Sequence, residues 1–140
     1  PLFAANSCMA CPCVYSQYVR DIASKIDAVT CGYPMEESTD SGLLAAAAIR
    51  DDLVEQVRAS KAKGARSLCK DRDLPSEGYF VSPEILTDIP DDSPAASEEM
   101  FGPVACLWKV DSLDEAITRA NASNFGLGSA IFTNDRAEMD

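Results

Sequence analysis

Residues 104–117 read Val104-Ala105-Cys106-Leu107-Trp108-Lys109-Val110-Asp111-Ser112-Leu113-Asp114-Glu115-Ala116-Ile117. The run Val104 to Val110 is long and apolar enough for a strand buried on both faces. Ser112-Leu113-Asp114-Glu115 follows with the spacing of a capping box, in which the hydroxyl and the carboxylate each accept a backbone N–H of the first turn. A helix is therefore predicted from Leu113 to about Asn121. A doubly buried strand feeding a helix is the unit of an α/β domain whose parallel sheet is covered by helices.

The pattern extends in both directions. Upstream, Phe101-Gly102-Pro103 introduces the run, and Gly78-Tyr79-Phe80-Val81 and Glu84-Ile85-Leu86 read as extended pieces separated by Pro83. Arg66 to Lys70 is a short strand candidate, followed by a charged turn through Asp71, Arg72 and Asp73. Two helices precede these. Tyr15, Tyr18, Val19, Ile22 and Ile26 share one face of a helix running to Val29, stopped by Cys31-Gly32-Tyr33-Pro34. Ile49, Leu53 and Val57 form the stripe of a second, from about Leu44 to Lys63, with Gly64 as its stop. Downstream, Gly126 to Phe132 is a further buried strand candidate, and Asn134 could cap a last helix.

The chain has 140 residues, with 12 basic and 23 acidic side chains and a formal net charge of −11. Such acidity without a basic run argues against a nucleic-acid backbone or an anionic membrane as partner. Apolar residues at 46% and charged residues at 25% fit one globular domain rather than a disordered chain. No apolar stretch approaches the roughly 20 residues of a spanning helix. Histidine is absent, which removes Ser-His-Asp and Cys-His catalysis and every zinc site not made of Cys or carboxylate. Beginning at Pro1 rather than Met, the sequence is expected to be a processed product or a piece of a longer chain.

Six cysteines stand at positions 8, 11, 13, 31, 69 and 106. That density is below a disulfide-built scaffold, and Cys69 and Cys106 lie in apolar runs where a free thiol behaves as a small hydrophobe. Free thiols in a reducing intracellular compartment or organelle are the expectation. Cys8, Cys11 and Cys13 contain a C-x2-C half-site, but the matching half is absent and C-x-C chelates tetrahedral zinc poorly; iron–sulfur ligation lacks ligands in the same way. No metal site is assigned. Residues 1–14 are read as an irregular Cys-rich segment ahead of a domain spanning 15–140.

From about Tyr18 onward the chain resembles the catalytic domain of the aldehyde dehydrogenase superfamily, nearest its semialdehyde dehydrogenase branch. Glu98-Glu99-Met100-Phe101-Gly102-Pro103-Val104 is similar to the family's Glu-Glu-x-Phe-Gly-Pro-Val segment. Gly78-Tyr79-Phe80-Val81-Ser82-Pro83-Glu84-Ile85-Leu86-Thr87-Asp88 lies upstream in family order. Asp114-Glu115-Ala116-Ile117 through Asn121 and Phe125-Gly126-Leu127-Gly128-Ser129-Ala130-Ile131-Phe132-Thr133 follow downstream. The resemblance implies a parallel-sheet fold and an ancestry in NAD(P)-dependent aldehyde oxidation. In that reaction a cysteine thiolate attacks the carbonyl, hydride leaves to the nicotinamide, and a Glu-activated water hydrolyses the thioester. It makes Glu99 the acceptor for the nicotinamide ribose hydroxyls and Phe101 the ring beside the nicotinamide. Taken alone, Glu98 and Glu99 would read as turn caps and Phe101 as core.

Departures from the family pattern bear on chemistry. Tyr33 stands where an Asp is typical, and Leu43 or Leu44 where a Pro is typical after Gly42. The family's nucleotide-binding domain, with its Glu base and its oxyanion-binding Asn, lies before these residues, and its oligomerising end lies after them. Counting back without gaps from the Tyr18 helix puts Leu2 at the nucleophile position. Cys8-Met9-Ala10 resembles the family's Cys-x-Ala, which makes Cys8 the candidate nucleophile only if about six residues, the strand that positions it, have been lost. A thiol without that strand, a base or an oxyanion hole has no evident activation. The expectation is a truncated, non-catalytic accessory or structural subunit of a larger protein assembly, with no cofactor bound by the chain alone. The alternative is a fragment of an active NAD(P)-dependent semialdehyde dehydrogenase.

Overall fold

The computed structural model describes residues 7–70, 72–122, 124–126 and 128–138. Four strands form one sheet in the order β1-β4-β3-β2, from β1 (Ser7–Ala10), β2 (Arg66–Ser67), β3 (Glu84–Thr87) and β4 (Val104–Lys109). β4 pairs parallel with both β1 and β3, whereas β2 runs antiparallel to β3. The sheet is thus mixed rather than wholly parallel, because β2 returns to the sheet edge directly from a helix.

β4 explains its own composition. Val104, Cys106 and Trp108 face one layer with Leu86, while Ala105 and Leu107 face the other with Ile85. Alternate residues along a strand point to opposite faces, so a run buried on both must be apolar throughout. On the first face lies α2 (Ala47–Lys63), with Leu53 and Val57 against Met100 and Val104. On the second lies α1 (Pro12–Asp27), with Tyr15, Val19, Ile22 and Ile26 against Leu107 and Ala10. The two predicted stripes are therefore the inner faces of the two covering helices. Lys61 of α2 forms an ion pair with Glu84 of β3, and Lys63 with Asp92.

Boundaries depart from expectation where distant groups intervene. The segment expected to be irregular holds β1 and the first turn of α1, separated only by Cys11. Pro12 opens the helix, where its missing N–H and fixed φ are tolerated, but Cys13 and Val14 are exposed and carry no periodic signal. α1 ends at Asp27, before the predicted Gly32 stop. The Arg72 guanidinium donates to the carbonyls of Ile26 (3.0 Å) and Val29 (2.6 Å), satisfying groups a further turn would have used. α2 starts at Ala47 rather than Leu44, because the Leu44 N–H is drawn to the Tyr79 carbonyl at 2.8 Å. Its stop is as predicted: Gly64 sits at φ +125°, where a side chain would be strained.

Strand β2 is shorter than the predicted Arg66–Lys70, and Asp71 of the charged turn lies outside the described residues. Residues 78–81 do not join the sheet, although Phe80 is buried. α3 (Pro94–Ser97) is a single turn, and α4 (Leu113–Ala120) forms as predicted. Ser112 Oγ accepts from the Glu115 N–H, and the Glu115 carboxylate reaches back to the Asp111 N–H at 2.8 Å. The predicted strand at 126–132 is overturned: its described residues are unpaired coil, Phe132 is 95% exposed and Leu127 lies outside the described residues. Apolar content alone does not make a strand without a ladder to join and a layer to cover it. The last predicted helix is one 3-10 turn, Arg136–Glu138.

Candidate functional site

The site is built on the single turn α3 and the five residues after it. Ser93, fully buried, starts the turn with its hydroxyl on the Pro90 carbonyl. Buried Ser60 of α2 donates to the Gln56 carbonyl at 2.8 Å and accepts the Ala95 N–H at 3.0 Å, which ties α3 to α2. Glu98 ends α3 in an extended conformation, and Met100 (1% exposed) plugs the core between the sheet and α2. Two tight bonds follow, Gly102 N–H to the Met100 carbonyl and Val104 N–H to the Gly102 carbonyl. Glycine allows the close approach at 102: an added Cβ would lie 2.4 Å from Leu53 Cδ2, so a larger residue would force a shift.

With Met100 pointing in, its neighbours point out. The Glu99 side chain is exposed and makes no hydrogen bond or ion pair among the described residues. Phe101 is 61% exposed, so it does not fill the core. The Gln56 carboxamide holds the segment from below, donating to Glu98 Oε2 at 2.9 Å and to the Glu99 carbonyl at 3.2 Å. Sequence reasoning did not single out Gln56, since a half-buried amide on a helix carries no spacing signal. Chemically, the arrangement presents an untethered carboxylate at Glu99 and, two residues on, an exposed ring at Phe101 to solvent.

Cys8 is elsewhere. It occupies the interior of β1 opposite Leu107 and packs with the α1 layer, whereas Met100 anchors the Glu99 segment in the layer on the other face. The structure therefore does not bring Cys8 and Glu99 together. The Cys8 thiol donates to Tyr18 Oη at 3.3 Å. Contact with Cys8 and burial together push the Tyr18 hydroxyl up to about 12, away from any role as a base near neutrality. β1 is a strand immediately ahead of α1, with only Cys11 between them. Leu2, the position reached by the ungapped count, lies outside the described residues.

The remaining cysteines divide by environment. Cys11 and Cys13 are joined as a disulfide, which corrects the expectation that both are free, while Cys8, Cys31, Cys69 and Cys106 are free. Burial raises the Cys69 thiol and pushes Cys106 up to about 12 from an ordinary 9.0. Because the folded chain holds the Cys106 proton more tightly than the unfolded chain does, this contribution to stability is complete below pH 9. It is lost as pH rises from 9 towards 12, at up to about 1.4 kcal/mol per pH unit for one proton. Urea midpoints are expected to fall steadily above pH 9 and iodoacetamide to spare Cys106 until unfolding; a pH-independent midpoint would show that the thiol is not buried. No group of three or more His, Cys, Asp or Glu side chains able to hold a metal occurs among the described residues. Nor is any described helix long and apolar enough to cross a membrane.

Residues 4–140 match the family model described as the aldehyde dehydrogenase family. A succinate-semialdehyde dehydrogenase (NADP+) of Mycobacterium avium is 40% identical over 126 residues, covering 90% of this chain and 27% of that protein. A betaine aldehyde dehydrogenase of Rhizobium johnstonii is 35% identical over 125 residues, covering 87% of this chain and 26% of that protein. Among solved structures, succinic semialdehyde dehydrogenase from Streptococcus pyogenes in complex with NADP+ superposes with a TM-score of 0.86 at 29% identity, over 94% of this chain and 29% of that one. Lactaldehyde dehydrogenase from Escherichia coli gives 0.89 at 30% identity, over 96% and 28%. The chain thus spans little more than a quarter of the relatives it matches.

Proposed function

This chain belongs to the aldehyde dehydrogenase family, and from that premise we propose that it is a non-catalytic module. In this reading it keeps the family's cofactor-facing rim but not its nucleophile, and serves as an accessory or structural subunit of a larger assembly. The observation that supports this is the continuity of β1 into α1. With only Cys11 between them, the residue six positions before Cys8 is the one that counts to the nucleophile position, and it is Leu2. An alkyl side chain cannot add to a carbonyl. Cys8 does not substitute, because it is held in the strand interior against Tyr18 on the far side of the sheet from Glu99.

The rim itself is the reason for a second reading, a segment of an active NAD(P)-dependent semialdehyde dehydrogenase. Glu99 and Phe101 face solvent, as groups awaiting a dinucleotide would. A dinucleotide would take two hydrogen bonds from its ribose hydroxyls to the Glu99 carboxylate and one ring contact from Phe101, and the residues present fit that demand. Bound there, the nicotinamide would supply the hydride acceptor; the chain's own part is to hold the ribose and exclude water from one side of the ring.

The native protein that carries this sequence, given NAD+ or NADP+ and succinic semialdehyde, is expected to form no NAD(P)H. Cys8→Ala is expected to change nothing. Turnover abolished by Cys8→Ala would make Cys8 the nucleophile and overturn the proposal. Turnover indifferent to Cys8→Ala would favour the second reading, with the nucleophile supplied by other residues.

A further inference from the structure

We infer that Gln56 is the positioning residue of the cofactor-facing rim: it acts on Glu99 through the backbone, not by touching a ligand. The inference rests on the reading that Glu99 faces a nicotinamide ribose, and adds the residue that fixes where its carboxylate stands. The five residues from Glu98 to Gly102 are held from below by three contacts. Met100 is locked in the core, Gly102 abuts Leu53, and the Gln56 amide spans Glu98 Oε2 and the Glu99 carbonyl. Glu99 has no side-chain tie among the described residues, so its Cα position is set by those three contacts.

Gln56 is the only one of the three whose removal leaves the core intact. The backbone carbonyl of Gln56 accepts from buried Ser60, whose oxygen also receives the Ala95 N–H at the start of α3. Both ends of the Pro94–Glu99 stretch are thereby referred to one turn of α2. A ribose diol needs two acceptor oxygens within hydrogen-bond range at once, and a displacement of about 1 Å breaks one of the two. The type of residue matters as well. A carboxamide donates through one nitrogen to a carboxylate and to a carbonyl, whereas a carboxylate at 56 would repel both acceptors.

The test uses the native full-length protein or assembly, with NAD+ and NADP+ as probes in equilibrium titration. Gln56→Ala is expected to weaken dinucleotide binding about tenfold, the size of one lost hydrogen bond to a charged group. Exchange of the Gly102 and Val104 amides should quicken, while the melting temperature stays nearly constant. Gln56→Glu is expected to be worse than Gln56→Ala, and Glu98→Gln in the Gln56→Glu background to recover part of the loss by rebuilding the amide–carboxylate bond in reverse. A residue that merely packed would give no such rescue. If Glu99→Gln weakens binding but Gln56→Ala does not, the inference fails while the ribose reading stands. If neither variant matters, or the unaltered protein binds neither dinucleotide, both are overturned.

Discussion

Leu53→Ala is expected to destabilise the chain by about 3–5 kcal/mol, the upper part of the range for a buried leucine truncation. Leu53 is 1% exposed and lies between the first face of the sheet and α2, in contact with the layer formed by Met100, Leu86 and Val104. How far a cavity can collapse sets the cost, and here one wall is the backbone at Gly102, pinned by its bond to Met100 and by the Val104 N–H. A pinned wall does not relax inward. At about 4 °C per kcal/mol for a domain of this size, the melting temperature should fall by more than 10 °C. Thermal melts and urea titrations of the variant check this. A midpoint within 2–3 °C of the parent, by that same scale, would show that α2 is not docked on the sheet in solution.

What could be read from the residues, and what could not, follows the range of the interactions involved. β4 was legible because burial on both faces leaves an unbroken apolar run, and α4 because Ser112 and Glu115 act within one turn. The end of α1 was not legible. Its last carbonyls are capped by Arg72, more than forty residues away, and nothing within the helix announces that. The start of α2 moved for the same reason, through the Leu44–Tyr79 bond. Residues 126–132 carry the composition of a strand, but pairing is a property of two segments, and one segment's composition cannot report it.

At the rim, the motif containing Glu99 and Phe101 was legible as a resemblance, and local physics alone gave a different assignment. Two adjacent carboxylates read as turn caps and a phenylalanine as core. In the fold only Glu98 is tied down, Glu99 is not, and Phe101 is turned outward while Met100 between them is turned in. Cys8 shows the converse case. The short Cys-x-Ala match carries no information on packing, and the strand register with Leu107 places that cysteine in the layer under α1.

Gly102→Ala is the change expected to act on fold and rim together. The new methyl would sit 2.4 Å from Leu53 Cδ2 and 3.6 Å from Leu44 Cδ2. A leucine tip can usually swing away from such a clash, but Leu53 is enclosed, so either α2 or the Met100–Val104 turn must shift. Overpacking of this kind costs about 1–3 kcal/mol. If the turn shifts, it carries Glu99 and Phe101 with it, and dinucleotide affinity of the native protein should fall further than the stability loss alone requires. The sign of the coupling to Leu53 is the sharper test. In the Leu53→Ala background the clashing atoms are gone and the methyl added at position 102 enters the vacated space, so Gly102→Ala should there be neutral or mildly stabilising. The double variant is therefore expected to be more stable than the sum of the singles by about 1–3 kcal/mol. Strict additivity across the cycle would mean that residue 102 does not approach Leu53, and the close docking that turns Glu99 outward would have to be abandoned.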